Sequence, residues 1–198
     1  MAAVDWNSGD DITSTKLQAM EVGHLTEPSF ATSINTTASE LEFAELTIPA
    51  NIAEVGMIWR LTAWGAWANT GTPTLTVRLR VGPNALASAN TQQAQTGALA
   101  TQSGVTNRLW IAETLIVAES IGVAGALNGP FKFKTAGVLA GSAPFINDAA
   151  EITTVMDGTA STTVDTTAAN YISLTAQWSA SSSSNIYLSN DFISENLV

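Results

Sequence analysis

The 198-residue chain contains no cysteine and a single histidine, His24. Without cysteine it can form no disulfide, no thiolate nucleophile and no thiolate metal site. One imidazole cannot build a zinc site that needs several histidines, and a catalytic triad of the serine-hydrolase type would depend on His24 alone. The sequence therefore predicts no cofactor and no metal, and it leaves little room for hydrolase chemistry.

Charge is also scarce, and most of it is acidic. Charged residues make up 12% of the chain, about half of the roughly 25% that is typical of globular domains. Seventeen Asp and Glu against seven Lys and Arg give a formal net charge of −10. Such a charge repels phosphate backbones and anionic lipids, so we expect neither nucleic acid nor a membrane as a partner.

Long apolar runs are missing as well. No stretch of about 18 uncharged apolar residues occurs, and the first residues lack the basic start and apolar core of a secretory signal. Hydrophobic residues nevertheless make up 45% of the chain, which is enough for a sizeable core. We expect a soluble protein, without an export signal, whose globular part is one all-β domain.

The composition changes near residue 46. Eight of the seventeen acidic residues precede that point, together with the single base Lys16. Little hydrophobic periodicity is present there, although a short helix over Thr15–Glu21 could form if a surface held it. The sequence predicts an acidic N-terminal arm over residues 1–40 and a sandwich domain over residues 41–198.

From Leu41 onward, apolar and polar residues alternate as they do in strands. Between Met57 and Ala68, residues such as Trp59 and Leu61 share the face that we assign to the core. A turn cluster at residues 69–73 separates this strand from the next, which predicts a hairpin. A second hairpin is predicted for residues 171–178 and 186–192, joined by the serine-rich loop 179–184.

The remaining strands are predicted from shorter patterns. They are expected at Leu109–Val117, Ile121–Leu127, Phe131–Thr135 and Glu151–Val155, whereas residues 83–107 are expected to form a long surface loop with at most a short strand at Ala85–Ala89. No long helix separates these strands, which excludes a fold of repeated βαβ units. We predict an all-β, antiparallel β-sandwich, jelly-roll-like, with an extended N-terminal arm.

Two segments, Thr47–Gly82 and Val164–Leu197, resemble virion proteins of tailed bacteriophages. Five shared motifs occur in order: TIPA at 47–50, R-x-x-A-W-G at 60–65, TGTPTLTxRxR at 70–80, the element Asn107–Gly125, and LTAQWSASSSSN at 174–185. The resemblance spans residues 47–197. It implies a jelly-roll module on the outside of the virion, either a head decoration (cement or head-fibre) protein or a tail component. It also implies a homo-oligomer, often a trimer, and no catalytic residues.

Four residues are candidates for a subunit interface. Arg60 and Trp64 lie opposite the core face of their strand, and Arg78 and Arg80 should lie on the matching face of the partner strand in the predicted hairpin. Trp and Arg are enriched at interface hot spots. We favour a subunit or capsid interface, and the alternative is a solvated sheet face on which Arg stacks on Trp.

The acidic residues offer weaker candidates. The segment Asp5–Asp11 is similar to a calcium loop, but the closing acid is replaced by Lys16, so we favour a flexible acidic arm or a peptide that docks on a neighbour. His24 could accept a proton near neutrality or join Glu21 and Glu27 in holding a metal, but a lone exposed histidine in an arm is far commoner, and we favour that interpretation. Glu40, Glu42 and Glu45 could supply a carboxylate pair for glycosidic hydrolysis, or charges that discourage wrong strand pairing, which we favour.

The tryptophans favour a structural role over a sugar-binding one. We expect Trp59, Trp67, Trp110 and Trp178 in the core or at its edge. The expected function is thus that of a non-enzymatic capsid decoration protein on the phage head. It would associate with itself and clamp neighbouring subunits of the major capsid protein. The alternatives are a phage tail or fibre component that binds the host surface through loops 83–107 or 136–150, and, least favoured, a cell-wall polysaccharide hydrolase.

Overall fold

The computed structural model describes residues 33–34, 37–101, 103–106, 108–135, 152–156, 161–182 and 186–197. Most of the predicted arm lies outside these residues, including the segment Asp5–Asp11, the helix predicted at Thr15–Glu21, and His24. Within the described residues, no helix has the length and apolar character needed to cross a bilayer.

The described chain consists of strands and one short 3-10 turn. The strands are β1 (Ser33–Ile34), β2 (Leu41–Ile48), β3 (Ile58–Ala68), β4 (Thr74–Gly82), β5 (Thr91–Gln95), β6 (Leu99–Ala100), β7 (Arg108–Ser120), β8 (Gly125–Asn128), β9 (Phe131–Thr135), β10 (Ile152–Met156), β11 (Thr162–Val164), β12 (Asn170–Trp178) and β13 (Ile186–Leu197). The 3-10 turn spans Ala87–Ala89. β1 falls inside the predicted arm yet pairs with β13, so this part of the arm belongs to the folded body.

The strands form two antiparallel sheets. Sheet A has the order β1-β13-β3-β7, after which β8 and β9 both pair with β7 and carry β11 and β10 on their other edges. Sheet B has the order β2-β12-β4-β5, and β6 also pairs with β4. The predicted all-β sandwich is therefore confirmed. Successive strands alternate between the sheets from β1 to β4, and β12 of sheet B is followed by β13 of sheet A. The eight strands in the orders β1-β13-β3-β7 and β2-β12-β4-β5 therefore have the jelly-roll topology of two Greek keys.

The first predicted hairpin is wrong, because β3 belongs to sheet A and β4 to sheet B. The connection between them crosses the sandwich and is fixed by buried Asn69. Its Nδ2 donates to Thr101 Oγ1 at 2.6 Å, and its Oδ1 accepts from the backbone N–H of Val105 at 3.1 Å. These bonds tie the connection to residues 101–105, and a tight hairpin turn does not form.

The second predicted hairpin is wrong for the same topological reason. β12 lies in sheet B between β2 and β4, whereas β13 lies in sheet A between β1 and β3. Alternation identifies the side chains that face the core. Alternation does not show whether the next strand along the chain pairs in the same sheet or lies in the facing sheet. In both cases the two strands present an apolar face to the same core.

The predicted loop 83–107 is also wrong in part. Asn90 closes a short turn, since its side chain accepts from the N–H of Asn84 at 2.9 Å and donates to the carbonyl of Asn84 at 2.7 Å. β5 and β6 follow this turn. Of the other strands, Phe131–Thr135 is confirmed residue for residue. The strand predicted at Ile121–Leu127 begins later, because Gly122 turns the chain with a φ of 102°.

The core lies between the two sheets. The four tryptophans predicted there are all buried, with at most 4% of each exposed. Trp67 of sheet A meets Trp178 of sheet B edge to face, with ring centroids 6.1 Å apart. Phe43 and Trp110 form a similar pair at 5.1 Å. These pairs join the sheets and add about 1 kcal/mol each beyond the area that they bury. The core prediction is confirmed.

Candidate functional site

The four predicted interface residues do not form one patch. Arg60 and Trp64 lie on the outer face of sheet A, whereas Arg78 and Arg80 lie on the outer face of sheet B. The sandwich core separates the two pairs. The predicted convergence depended on the β3–β4 hairpin, and the crossing connection between these strands removes it.

Arg80 is bound within its own subunit. Its Nε and Nη2 donate to Glu40 Oε1 and Oε2 at 2.5 and 2.8 Å, and its Nη1 donates to the carbonyl of Asn90 at 2.7 Å. Arg78 places Nη1 3.3 Å from Glu40 Oε2, and its Nε donates to Gln92 Oε1 at 3.1 Å. Only 11–15% of these charged side chains is exposed. Both arginines thus have a structural role on sheet B.

Glu40 joins three strands of sheet B. It precedes β2, accepts a hydrogen bond from Thr175 Oγ1 of β12 at 2.5 Å, and reaches both arginines of β4. Burial raises the pKa of Glu40, but the hydrogen bonds from Arg80 and Thr175 and the two guanidinium charges outweigh burial and lower the pKa below its usual 4.5. The carboxylate therefore stays charged, as a bidentate pair with arginine requires.

Glu42 and Glu45 lie side by side because β2 contains a bulge. Glu42 pairs with Thr175, and Ala44 pairs with Leu174, so Phe43 is an extra residue. Phe43 and Ala44 are both buried in the core. In a regular strand, residues three apart point to opposite faces. The bulge brings Glu42 and Glu45 to the outer face together, above the buried Ser173.

The two carboxyl groups share a perturbed environment. Burial, the charge of Glu45 and a hydrogen bond with Glu45 raise the pKa of Glu42 to about 8. Burial also raises the pKa of Glu45, although hydrogen bonds from Glu42 and Ser173 oppose it. A neutral Glu42 donates a hydrogen bond to the carboxylate of Glu45, and its other oxygen can still accept one. Glycosidic hydrolysis needs a sugar between two carboxyl groups that are about 5–9 Å apart, and two groups that bond each other leave no such space.

The outer face of sheet A combines apolar and basic side chains. The register aligns Trp64 with Ile111 and Lys134 in one row, and Thr62 with Glu113 and Lys132 in the next. Leu109 and Leu115 of β7 are exposed on the same face. Arg60, also exposed, pairs with Leu115 across the strands. This face retains two of the four predicted interface residues.

A third surface lies at one end of the sandwich and was missed by the sequence analysis. The loops after β2, β4 and β7 all lie at this end, because β2, β4 and β7 end and β3 begins there. These loops carry the most exposed large apolar residues of the described chain: Val55 (65%), Leu86 (69%), Ile121 (50%) and Val123 (77%). We call this surface the apolar end.

Hydrogen bonds between neighbouring loops hold the apolar end. The N–H of Gly56 donates to the carbonyl of Ala118 at 2.8 Å, and the N–H of Thr166 donates to the carbonyl of Gly122 at 3.0 Å. The N–H of Asn51 donates to the carbonyl of Thr166 at 3.1 Å. The available sequence signal was valine and isoleucine beside turn glycines, in EVG and SIGVAG. These residues lie in loops, and a search for the alternation of strands does not single them out.

Charge at the apolar end is acidic. Glu54, Glu119 and Asp165 belong to its loops, whereas its described segments 49–57, 83–90, 119–125 and 165–169 contain no Lys or Arg. Across the described residues, no group of three or more acidic or histidine side chains is arranged to hold a metal ion. The calcium-like segment Asp5–Asp11 lies outside these residues and stays a prediction.

Comparisons with protein-family models, with curated proteins and with solved structures return no match for this chain.

Proposed function

We propose that this protein is a non-enzymatic structural component of the exterior of a tailed-phage particle. In this role it associates with itself and clamps neighbouring capsid subunits on the head. The motifs shared with phage virion proteins suggest the class of particle. The apolar end is the observation that carries the docking role, because its four exposed apolar side chains come from three separate loops at one end of the sandwich.

The apolar end is built to bind a protein surface. Exposed apolar groups that cluster on a soluble domain are typical of interaction sites. Burying one Val, Leu or Ile fully contributes about 1.5–3 kcal/mol, so four side chains that are at least half exposed are worth several kcal/mol on docking. The hydrogen bonds between the loops reduce the ordering cost of that contact. The flanking acids favour a partner surface with an apolar centre and a basic rim.

One oligomer carries several apolar ends, and it can therefore hold neighbouring capsid subunits together. Each contact is of modest strength, but the second and third contacts of one oligomer form at a high effective concentration. An oligomer that bridges neighbouring capsid subunits opposes their separation under internal pressure. The proposal therefore requires both self-association and docking at the apolar end.

Capsids assembled without this protein test the proposal directly. Adding back the wild-type chain should raise their tolerance to heat and to osmotic shock. The double variant Val55→Ser/Val123→Ser should bind at least tenfold more weakly and restore little tolerance. Leu41→Ser is the matched control, because Leu41 is an exposed apolar residue at the opposite end of the sandwich. Equal tolerance with and without bound wild-type protein would contradict a cementing role.

The copy number in purified virions separates the head from the tail. A head decoration protein is expected in hundreds of copies, whereas a tail tip or fibre component is expected in a few to dozens. Quantitative gel densitometry against the major capsid protein measures this ratio. A low copy number would favour the alternative function, binding of the host surface by a tail component.

A further inference from the structure

The outer edge of β13 is open over most of its length. On one side, β13 pairs with β3 from Ile186 to Leu197. On its other side, the partner among the described residues is β1, which covers Tyr187 and Leu188 and no more. Within the described chain, residues 189–197 thus have no strand beside them on that side, and we call them the open edge. About half of them direct their backbone N–H and C=O groups outward, as antiparallel geometry requires. Natural sheets usually cover or blunt such an edge.

The register of β1 directs the preceding part of the chain along the open edge. Ser33 pairs with Leu188 and Ile34 pairs with Tyr187 in an antiparallel ladder. Because the ladder is antiparallel, the chain before Ser33 continues beside the residues that follow Leu188. Residues 24–32 are as many as the residues of the open edge. A segment that is tethered at Ser33 also meets this edge at a far higher effective concentration than a separate chain does.

Residues 24–32, HLTEPSFAT, have the composition of an outermost strand. Thr26, Phe30 and Thr32 are residue types that strands favour. Glu27 and Pro28 are types that natural sheets place on exposed edges, where they discourage the addition of a further strand. Proline fits there because its nitrogen, which cannot donate, can face the solvent. A strand formed by these residues would therefore cover β13 and leave a protected edge.

The same register leads the N-terminal residues to the apolar end. Leu197, at the end of β13, pairs with Ile58, the first residue of β3. β3 begins at the apolar end, where the N–H of Gly56 donates to the carbonyl of Ala118. A strand over residues 24–32 that follows β13 to Leu197 therefore brings residues 1–23 to the apolar end.

Residues 1–23 also share the chemistry of the apolar end. They contain four acids, at positions 5, 10, 11 and 21, against one base, and large apolar residues such as Trp6 and Leu17. The apolar end combines exposed residues such as Val55 and Val123 with acids, and its described segments contain no Lys or Arg. Both parts therefore favour the same kind of partner, a surface with an apolar centre and a basic rim.

We infer that residues 24–32 add to the open edge of β13 in their own chain, as a continuation of β1, and that residues 1–23 then contact the capsid partner beside the apolar end. The first step rests on the backbone register. The second step rests on the proposed function, because it extends the docking surface named there. Main-chain hydrogen bonds hold the added strand, as they do when a peptide joins the edge of a sheet.

Paired cysteines in the full-length chain test the first step, because the chain has no cysteine of its own. Glu195→Cys is combined with Thr26→Cys in one variant and with Glu27→Cys in another, since the bulge at Asn190 allows either register. Opposite residues of an antiparallel pair have the spacing that a disulfide needs. One of the two variants should therefore form a disulfide within its chain under mild oxidation. Thr26→Cys with Thr91→Cys is the matched control, because Thr91 is exposed on β5 of the other sheet, and it should not crosslink.

Non-reducing electrophoresis with peptide mass mapping reads the result. A disulfide within one chain supports the inference. A disulfide-linked dimer would show that the segment of one copy adds to β13 of another, and that result would overturn docking within one chain. Crosslinking of both variants at no more than the level of the control would also overturn the inference.

Charge reversal tests the second step. Asp5→Lys/Asp10→Lys/Asp11→Lys should bind capsids that lack the protein at least tenfold more weakly than the wild type. The same reversals placed in the crosslinking variant should leave its disulfide intact, because they lie outside residues 24–32. Glu113→Lys is the control, since it reverses a partly exposed acid on the face of sheet A and should leave capsid binding unchanged. Wild-type binding by the triple variant would overturn the second step.

The two measurements keep this inference separate from the proposed function. If the disulfide forms within one chain but neither the wild type nor any variant binds capsids, the proposed function fails and the added strand stands. If capsid binding depends on Val55 and Val123 while no disulfide forms, the added strand fails alone.

Discussion

Arg80 binds both carboxylate oxygens of Glu40 from two strands away, across β12. Thr175 of the intervening strand donates to the same carboxylate, so the outer face of sheet B is tied across β2, β12 and β4. A face of a sandwich is usually open to solvent. Here it carries a buried network whose members depend on one another.

Glu40→Gln should destabilise the fold more than removal of any exposed charge. The substitution leaves two mostly buried guanidinium groups without a counter-charge, and breaking such a pair costs about 3 kcal/mol. Urea unfolding followed by circular dichroism measures the loss. Glu54→Gln, at an exposed position, should change stability by less than about 0.5 kcal/mol. A loss of that small size for Glu40→Gln would contradict a structural role for the network.

Glu42 should make the protein less stable as the pH rises. Its folded-state pKa is about 8 against a usual 4.5, so between these values the folded state keeps a proton that the unfolded state has released. The free energy of unfolding therefore falls with rising pH in this window. We expect the Tm to fall by a few degrees between about pH 5 and about pH 9.

Glu42→Gln is the control for this pH dependence, since it keeps the shape of the neutral carboxyl group but cannot titrate. It should reduce the slope between about pH 5 and about pH 9, and the part that remains is expected from Glu45, whose pKa burial also raises. Glu40 does not interfere in this window, because its pKa is lowered and its contribution is lost only when the pH falls through the acidic range. A variant that keeps the wild-type slope would assign the slope to another group.

The sequence predicted which face of each strand is buried better than it predicted which strands pair with each other. Trp59, Trp67 and Trp178 are in the core because alternation and size decide burial locally. The pairing of β3 with β7 and β13 was not predictable, since any strand with one apolar face fits either sheet. The crossing of the β3–β4 connection depends on Asn69, whose partners Thr101 and Val105 are distant in sequence.

Prediction of the candidate sites was limited for the same reason, because the pairing of the strands was not known from the sequence. The sequence pattern predicts that Arg78 and Arg80 lie on an outer face, but it does not give their partner Glu40, which follows only when β2 and β4 are both placed beside β12. The pairing of Glu42 with Glu45 required the bulge at Phe43, because regular alternation puts these residues on opposite faces. The apolar end required knowledge of which loops meet.

Gly129 should tolerate no side chain. A Cβ added there would lie 1.7 Å from the carbonyl oxygen of Leu115, a backbone atom that cannot rotate away. Gly129→Ala should destabilise by about 3 kcal/mol through overpacking, measured by urea unfolding. Gly71→Ala is the matched control, since its φ is +76° but nothing lies within 4 Å of the added atom. It should cost only about 1–2 kcal/mol of backbone strain, and an equal cost for both would contradict the steric argument.

Two buried tryptophans that touch each other should respond differently to the same substitution. Trp67 Nε1 donates to Thr135 Oγ1 at 2.8 Å, whereas the buried Nε1 of Trp178 has no hydrogen-bond partner among the residues that the structure describes. Replacement by Phe removes a similar volume at both sites, so the cavity costs should be comparable. Trp67→Phe also removes a buried hydrogen bond, while Trp178→Phe removes an unsatisfied donor. We expect Trp67→Phe to cost about 1–2 kcal/mol more in urea unfolding. Equal losses, or a larger loss for Trp178→Phe, would show that packing alone decides the difference.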